Sequence, residues 1–424
     1  MKLGLQTWGS EGDVRPFLAL AGGLAQAGHD VTLLVTEVAA RDYSQAARAG
    51  GFRLMEVASP VFSDADEMRQ MEAQLLTAGN PLAQSKLIVS RAFDPVAPAM
   101  FEAARQLCSE SDLVIGHYFV HPLRAAADAA NKPYVTVQLT HGFVPSRFTK
   151  PDGFPELGRW SYPFAWKLGR WLTNRLLLPR INAVCKQAKV SPVRDVICES
   201  WVSPLLNLIA VSPTLCERQL DWSANHAICG FFELPAEAMA PSGDVEEFLI
   251  RGAPPVYFTF GSLTPWEPRS ILETAQLWID AANIVGCRAI LQLPAATDLP
   301  SLPSEQFLVM ARCNHNEIFP RCAAVVHHGG AGTTHSVLRA GIPSVVVPHV
   351  ADQTFWADVL RRRRLGVAAE HRRKITAPTL AKAIGQAISS PDLRANTAAA
   401  ARAMRNENGV AQAVALIGSL LKQQ

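Results

Sequence analysis

The chain has 424 residues, roughly two to three times the ~150 of a typical domain, which excludes a single small module and predicts two domains. Forty Lys and Arg against 37 Asp and Glu leave a net charge of +3, too near balance for nucleic acid to be an expected partner. With 49% hydrophobic and only 18% charged residues, the composition excludes a disordered chain and predicts large buried areas.

In chain order, Lys2–Gln6 reads as a short strand and Trp8–Asp13 as a Gly-rich turn. Val14–Ala27 then places Val14, Phe17, Leu18, Ala21, Leu24 and Ala25 at helical spacing. Gly28 stops that helix as a left-handed cap would, and Val31–Val35 is a second buried strand. Strand, Gly-rich loop, helix, strand is the opening of a doubly wound α/β domain. Further strands are expected at Phe52–Val57, Leu113–Gly116, Tyr134–Gln138 and Leu208–Val211. Residues 231–255 carry Pro235, Pro241, Gly243, Gly252, Pro254 and Pro255 and read as a linker. A second alternation follows, with strands at Val256–Phe260, Ala289–Leu293, Phe307–Met310, Ala324–His327 and Ser344–Val347. The fold class is therefore α/β, with two Rossmann-like doubly wound domains.

Two segments depart from this rhythm. Arg159–Arg180 interleaves Trp160, Tyr162, Phe164, Trp166 and Trp171 with Arg159, Lys167, Arg170, Arg175 and Arg180. It reads either as an amphipathic helix with solvated Arg side chains or as an aromatic wall over an apolar ligand, able to rest on a membrane surface. The basic run Arg361–Lys374 reads as a solvated helix end and surface turn.

Cys108, Cys185, Cys198, Cys216, Cys229, Cys287, Cys313 and Cys322 form no C-x-x-C pair and read as buried small hydrophobes in a reducing compartment. The N-terminal apolar run breaks at Gln6, too soon for a signal peptide's core. No run approaches the ~18 apolar residues of a membrane span, so a cytoplasmic location is expected.

The most informative stretch begins where a buried strand ends at His327. The turn His328-Gly329-Gly330-Ala331-Gly332-Thr333-Thr334 follows, and a helix opens that runs to Arg339 before Gly341 and Pro343. Backbone N–H groups, two hydroxyls and an imidazole thus gather at the positive end of a helix dipole, a setting that suits a diphosphate. A tight strand-to-helix turn with no ligand is the plain alternative.

These residues, continuing to Pro348 and Asp352-Gln353, resemble the donor signature of nucleotide-sugar-dependent glycosyltransferases of the GT-B fold. Within that group the sequence is most similar to the sterol glucosyltransferases and the antibiotic glycosyltransferases. Gly9-Ser10-Glu11-Gly12-Asp13-Val14-Arg15-Pro16-Phe17 resembles their N-terminal pattern, and Phe260-Gly261-Ser262 a third motif. Ile181-Asn182 onward matches the sterol branch more loosely.

The resemblance implies an acceptor-binding domain over residues 1–235, a donor-binding domain over 236–405 facing it across a cleft, and a C-terminal segment 406–424. The helix of that segment, about Ala411–Leu421, is expected to pack back toward the first domain. It implies that His328, Gly330, Ala331, Gly332, Thr333, Gly261 and Ser262 surround the donor diphosphate, with Ser10 and Gly12 also donor-binding. Asp352 and Gln353 would hold the sugar hydroxyls, and Asn314 and His315 would lie near base and ribose. Ser336 replaces the ribose-binding glutamate of plant secondary-metabolite members, which favours the sterol-like branch. No metal and no cofactor are called for. The donor is a nucleotide diphosphate sugar, UDP-glucose first, and the acceptor a hydroxylated apolar molecule such as a sterol, polyketide or flavonoid.

An alcohol attacking an anomeric carbon needs a base for its proton, and Asp13 is the expected one in an inverting transfer. As plain structure, an Asp just before a helix is a favoured N-cap. His117 is the alternative base. The resemblance puts Gly116 where plant enzymes hold the aspartate that orients their catalytic histidine. His117, His121 and His141 follow strands of the first domain, and His117, His141, Trp160 and Trp166 are candidate acceptor contacts. Two other functions share the scaffold: a nucleotide-sugar epimerase or hydrolase, and an inactive nucleotide-sugar-binding helper.

Overall fold

The computed structural model describes residues 1–38, 41–59, 65–78, 80–234, 243–261, 267–295, 297–311, 313–350 and 352–422. The chain forms two compact units. Met1–Glu67, Leu82–Leu234 and Glu407–Gln424 make the first; Met68–Pro81 and Pro235–Asn406 make the second.

The first unit is built on a seven-stranded sheet of order β3-β2-β1-β4-β5-β6-β7. Its strands are β1 Lys2–Gly9, β2 Asp30–Glu37, β3 Arg53–Glu56, β4 Leu113–His117, β5 Tyr134–Gln138, β6 Leu206–Ile209 and β7 His226–Ile228. All neighbours pair in parallel. β1 and β4 are covered on both faces, which is why they read as near-continuous apolar runs. Leu3, Leu5, Leu33, Ile115, Val135 and Leu208 form the centre of the core, against Phe17, Leu20 and Leu24 of the helix Glu11–Gln26.

That helix begins earlier than its apolar spacing predicts. Ser10 is the N-cap and Asp13 stands in the first turn rather than before it, because acidic Glu11 and Asp13 are favoured at the positive end of the helix dipole. The C-terminal helix Gly409–Leu421 packs on the same helix through Ala413 and Ile417. Side chains are kept small at the contact: a Cβ on Gly23 would lie 2.3 Å from Val410, and one on Gly409 would lie 2.4 Å from the Gly230 and Phe231 carbonyls. The Glu407 carboxylate accepts from the Ser212 and Thr214 hydroxyls at 2.8 and 3.0 Å.

The second unit repeats the plan with a six-stranded parallel sheet, β10-β9-β8-β11-β12-β13. Its strands are β8 Val256–Thr259, β9 Ala289–Gln292, β10 Phe307–Met310, β11 Ala324–His327, β12 Ser344–Val346 and β13 Gly366–Ala368. Val256, Phe258, Leu291, Val326 and Val345 pack against Trp278 and Ile279 on one face; Tyr257, Ile290 and Val325 meet Phe319 and Val337 on the other.

Four sequence expectations are corrected. Residues 231–255 are not all linker, since Gly243–Ile250 is a helix whose Val245, Phe248 and Leu249 are buried. The basic run Arg361–Lys374 is not only a helix end and turn: it contains β13, with Leu365 buried. Arg170 and Arg180 are not simply solvated but pair with Asp195 and Asp94 at 2.8 and 2.9 Å. The cysteines are all free, and Cys198 is exposed rather than buried.

Candidate functional site

In an open parallel sheet, ligands bind beyond the carboxyl ends of the strands where the order reverses. Each sheet has one such point. In the first it lies between β1 and β4, and in the second between β8 and β11. Asp13 and His117 lie at the strand ends of the first, and Gly261 and His328 at those of the second.

In the first unit, β1 ends at Gly9 and β4 at His117. The Asp13 carboxylate accepts from the Ser10 backbone N–H at 2.8 Å and the Ser10 hydroxyl at 3.1 Å, both through Oδ2. Oδ1 lies 3.8 Å from His117 Nε2. Gly9 has φ +137°, and a Cβ there would stand 2.3 Å from Asp13 Oδ2, so only glycine admits the carboxylate in this position. The Asp13 side chain is 33% exposed and that of His117 only 5%. Burial lowers the His117 imidazole to about 3, leaving it neutral. Gly12 is exposed in the first helical turn, beside half-buried Ser10. A side chain at Gly116 would meet the Tyr134 hydroxyl at 2.6 Å, so an orienting carboxylate has no room there.

An aromatic cluster adjoins this point. Tyr118 packs on His117 with ring centroids 4.6 Å apart, and on Trp201 at 5.1 Å. Phe143 meets Trp201 at 5.2 Å; Trp8, Phe93 and Phe119 form a second knot with centroids 4.9 to 5.8 Å apart. Tyr118, Phe119 and Phe143 retain partial exposure. None of these six was singled out from the sequence; Trp8, Tyr118 and Phe119 could have been, because they flank the same strand ends as Asp13 and His117.

The candidate acceptor contacts separate. Trp166 is buried and its Nε1 donates to the Thr149 carbonyl at 2.8 Å, which makes it a structural side chain of the long helix Tyr162–Ala188. Trp160 is 73% exposed. His141 is half-buried in the turn after β5. His121 opens the helix after β4, buried against Phe93 at 4.9 Å.

In the second unit the His328 ring is wedged between two stretches of backbone. A Cβ on Gly261 would lie 2.3 Å from His328 Cε1, and one on Gly330 would lie 2.4 Å from Nε2. Thr333 Oγ1 is 3.0 Å from that same Gly261 position. Gly261 has φ +62°, and its N–H donates to the Thr259 hydroxyl at 2.8 Å. The Thr259 hydroxyl in turn donates to Gln292 Oε1 at 2.7 Å. Sequence reading missed Thr259 and Gln292, which fix the turn. Ser262 lies outside the described residues.

Gly330 is the N-cap of the helix Ala331–Arg339, and Gly330, Ala331, Gly332 and Thr333 are all half-buried rather than enclosed. The first-turn N–H groups of a helix lack intrahelical acceptors, so this end is an anion-attracting surface. His328 Nδ1 is buried with no hydrogen-bond partner among the described residues, and burial lowers the ring to about 4.

Asp352 is the N-cap of the helix Gln353–Arg362 and accepts from Trp356 Nε1 at 3.1 Å; burial raises its carboxyl above the usual range. Gln353 Oε1 accepts from the His349 and Val350 N–H groups at 2.7 and 3.0 Å, which leaves the amide nitrogen as the donor end. Asn314 caps the short turn His315–Ile318 through the Asn316 N–H at 3.1 Å. His315 stacks on Phe319 with centroids 4.3 Å apart.

The chain is similar to known proteins in sequence and in fold. The family described as Erythromycin biosynthesis protein CIII-like, C-terminal domain, matches residues 277–415. The chain is 26% identical to sterol 3-beta-glucosyltransferase UGT80B1 of Arabidopsis thaliana, over 98% of this chain and 67% of that one. It is 29% identical to O-mycaminosyltylonolide 6-deoxyallosyltransferase of Streptomyces fradiae, over 98% and 97%. The crystal structure of the glycotransferase of kitacinnamycin superposes with a TM-score of 0.71 at 17% identity, covering 99% of both chains.

Proposed function

We propose that this chain, a glycosyltransferase of the GT-B fold related to the sterol and antibiotic-sugar transferases, moves glucose from UDP-glucose to a hydroxyl of an apolar small molecule with inversion at the anomeric carbon. The observation that carries the donor half is the His328 ring held between Gly261 and Gly330 beside an open helix start. Diphosphate oxygens accept from the first-turn amides and from the imidazole, and the two glycines let the ligand approach the backbone. As the sugar–phosphate bond breaks, negative charge grows on the departing diphosphate, and these fixed donors stabilise it without reorganising. Asp352 accepts from sugar hydroxyls and the Gln353 amide donates to them.

The acceptor half rests on Asp13. The carboxylate is the partly exposed member of the Asp13–His117 pair, so it is the group a substrate hydroxyl can reach. Asp13 takes the proton as the acceptor oxygen attacks C1 from the face opposite the leaving diphosphate, and single displacement inverts that centre. Ser10 holds Oδ2 in place. The half-buried faces of Tyr118, Phe119 and Phe143 supply apolar contact for a lipophilic aglycone. Glucose as the sugar and a sterol as the acceptor accord with the name of the Arabidopsis relative; the Streptomyces relative is named for transfer of a 6-deoxyallosyl group, and the similarly folded glycosyltransferase VinC was crystallised with dTDP, which makes dTDP sugars the comparison to run.

The test is calorimetric titration with UDP-glucose, UDP and dTDP, followed by mass spectrometry of products from a panel of sterol, polyketide and flavonoid alcohols. Tight UDP-glucose binding with a hexose added to one acceptor class is expected. Consumption of the donor at an unchanged rate without any acceptor overturns the transfer reading in favour of hydrolysis or epimerisation.

A further inference from the structure

The helix Tyr162–Ala188 has two unlike faces. Inward, Trp166, Leu177, Ile181 and Cys185 pack with Val196, Ile197 and Trp201, and Tyr118, Phe119 and Phe143 join that cluster. Outward, Trp160 is 73%, Phe164 70%, Leu168 48% and Trp171 55% exposed. These four follow one another at intervals of four, four and three residues, the spacing of a single helical stripe. Trp160 belongs to the 3-10 turn Arg159–Ser161 that leads into the helix. Contiguous exposed aromatics of this size are unusual on a surface facing only water.

The charge on this helix is one-sided. Between Tyr162 and Ala188 there are five Lys or Arg and no Asp or Glu. Arg170 and Arg180 are taken up by Asp195 and Asp94. Exposed Lys167 and Arg175 fall at helical offsets that place them along the stripe, and the Arg175 guanidinium stands 5.6 Å from the Trp171 ring centroid. The nearest acid before the helix, Glu156, is engaged by the Tyr162 hydroxyl. Exposed Trp and Phe alternating with cations, without acids, matches the layered chemistry of a bilayer surface: apolar rings at the acyl boundary, cations at the phosphates. Among the described residues no helix is long and apolar enough to cross a membrane, so this one can lie along a bilayer but not span it.

We propose that the stripe Trp160, Phe164, Leu168 and Trp171, with Lys167 and Arg175, is a docking surface for an anionic lipid bilayer. The same helix then touches lipid on one face and the aromatic cluster beside Asp13 and His117 on the other, a short route for an apolar substrate that is poorly soluble in water.

The experiment is co-sedimentation of the full chain with vesicles of phosphatidylcholine alone and of an equimolar mixture of phosphatidylcholine and phosphatidylglycerol. Binding to the mixed vesicles, weakened by added salt, is expected. The triple variant Trp160→Ser, Phe164→Ser, Trp171→Ser should lose at least ~tenfold in partition coefficient, since three exposed rings leave the acyl boundary. Lys167→Glu with Arg175→Glu should abolish the preference for the mixed vesicles. Leu220→Ser, at an apolar position 91% exposed elsewhere in the same unit, should change nothing. Thermal melts of all variants establish that they fold. Absence of vesicle binding by the full chain, or equal binding by the folded triple variant, overturns the proposal. So does a dimer of the full chain in sedimentation equilibrium that the triple variant dissolves without any change in vesicle binding, which assigns the stripe to self-association.

Discussion

Asp13 Oδ1 stands 3.8 Å from His117 Nε2, beyond hydrogen-bonding reach, at the point where the first sheet reverses its strand order. The two groups are thus close enough to influence each other but are not locked in a hydrogen-bonded relay. If Asp13 takes the proton, Asp13→Asn should lower kcat by about 10²- to 10⁴-fold, the usual worth of a general base. Donor affinity, read by titration, should stay within about twofold, less than the ~1.4 kcal/mol of a tenfold change. His117→Gln should cost far less. The reverse ranking would make the imidazole the base and Asp13 its support.

Gly261 and His328 offer a coupled test. Gly261→Ala places a methyl 2.3 Å from the ring at φ +62°. Overpacking and left-handed strain of this kind cost about 1–3 kcal/mol each, and donor affinity should fall with stability. His328→Ala should itself weaken donor binding by about tenfold or more, as expected for a hydrogen bond to a charged group. In the His328→Ala background, Gly261→Ala should destabilise less, because the overlap with the ring is gone and only the backbone strain and the 3.0 Å approach to the Thr333 hydroxyl remain. Equal destabilisation in both backgrounds, measured by denaturant melts, would show that the ring is not the obstacle.

The aromatic cluster should act on one substrate alone. Phe119→Ala removes a half-buried ring that packs on Trp8 and Phe93. We expect KM for an apolar acceptor to rise about tenfold, in line with loss of one aromatic contact surface, with the donor constant unchanged. A matching rise in donor KM would mean general damage to the fold.

Acid should destabilise the protein. Burial lowers His117 and His327 to about 3 and His121, His328 and His335 to about 4. Each folded value lies below the ~6.5 of an unfolded chain, so unfolding takes up protons as the pH falls. The stabilisation is complete above pH ~6.5 and is lost progressively toward about pH 3–4, at up to about 2 kcal/mol per site by pH 5. Urea midpoints measured from pH 7.5 to 4.5 should drop steeply. His121→Phe, which keeps a ring against Phe93, should flatten the slope; an unchanged slope would remove His121 from this account.

Much of the fold could be read because parallel strands covered on both faces are apolar throughout: β1, β4, β8 and β11 stand out as runs. The strand-to-helix turn after His327 was also legible because its residues are consecutive, although the helix opens at Ala331, inside the stretch read as turn through Thr334. What stayed hidden depends on distant contacts. That Gly9 and Gly261 must be glycine follows only once Asp13 and His328 are seen against them. Trp8, Phe93, Phe119 and Trp201 come from four separated segments, and no periodicity links them. β13 has only three residues inside a basic run, too few for an alternation to show. The early start of the first helix was masked by Gly9 and Gly12, which read as a turn until Ser10 supplies the cap.

The polypeptide leaves the first unit at Leu234 and comes back to it at Glu407. Cutting the gene after residue 234 would therefore not yield a self-sufficient half. It would strip Ala413 and Ile417 from the Glu11–Gln26 helix and leave the notch at Gly23 vacant. An autonomous fragment needs the last eighteen residues supplied again, by a short engineered bridge from Leu234 to Glu407 or as a separate peptide, and such a fragment would carry Asp13 and His117 but neither Gly261 nor His328.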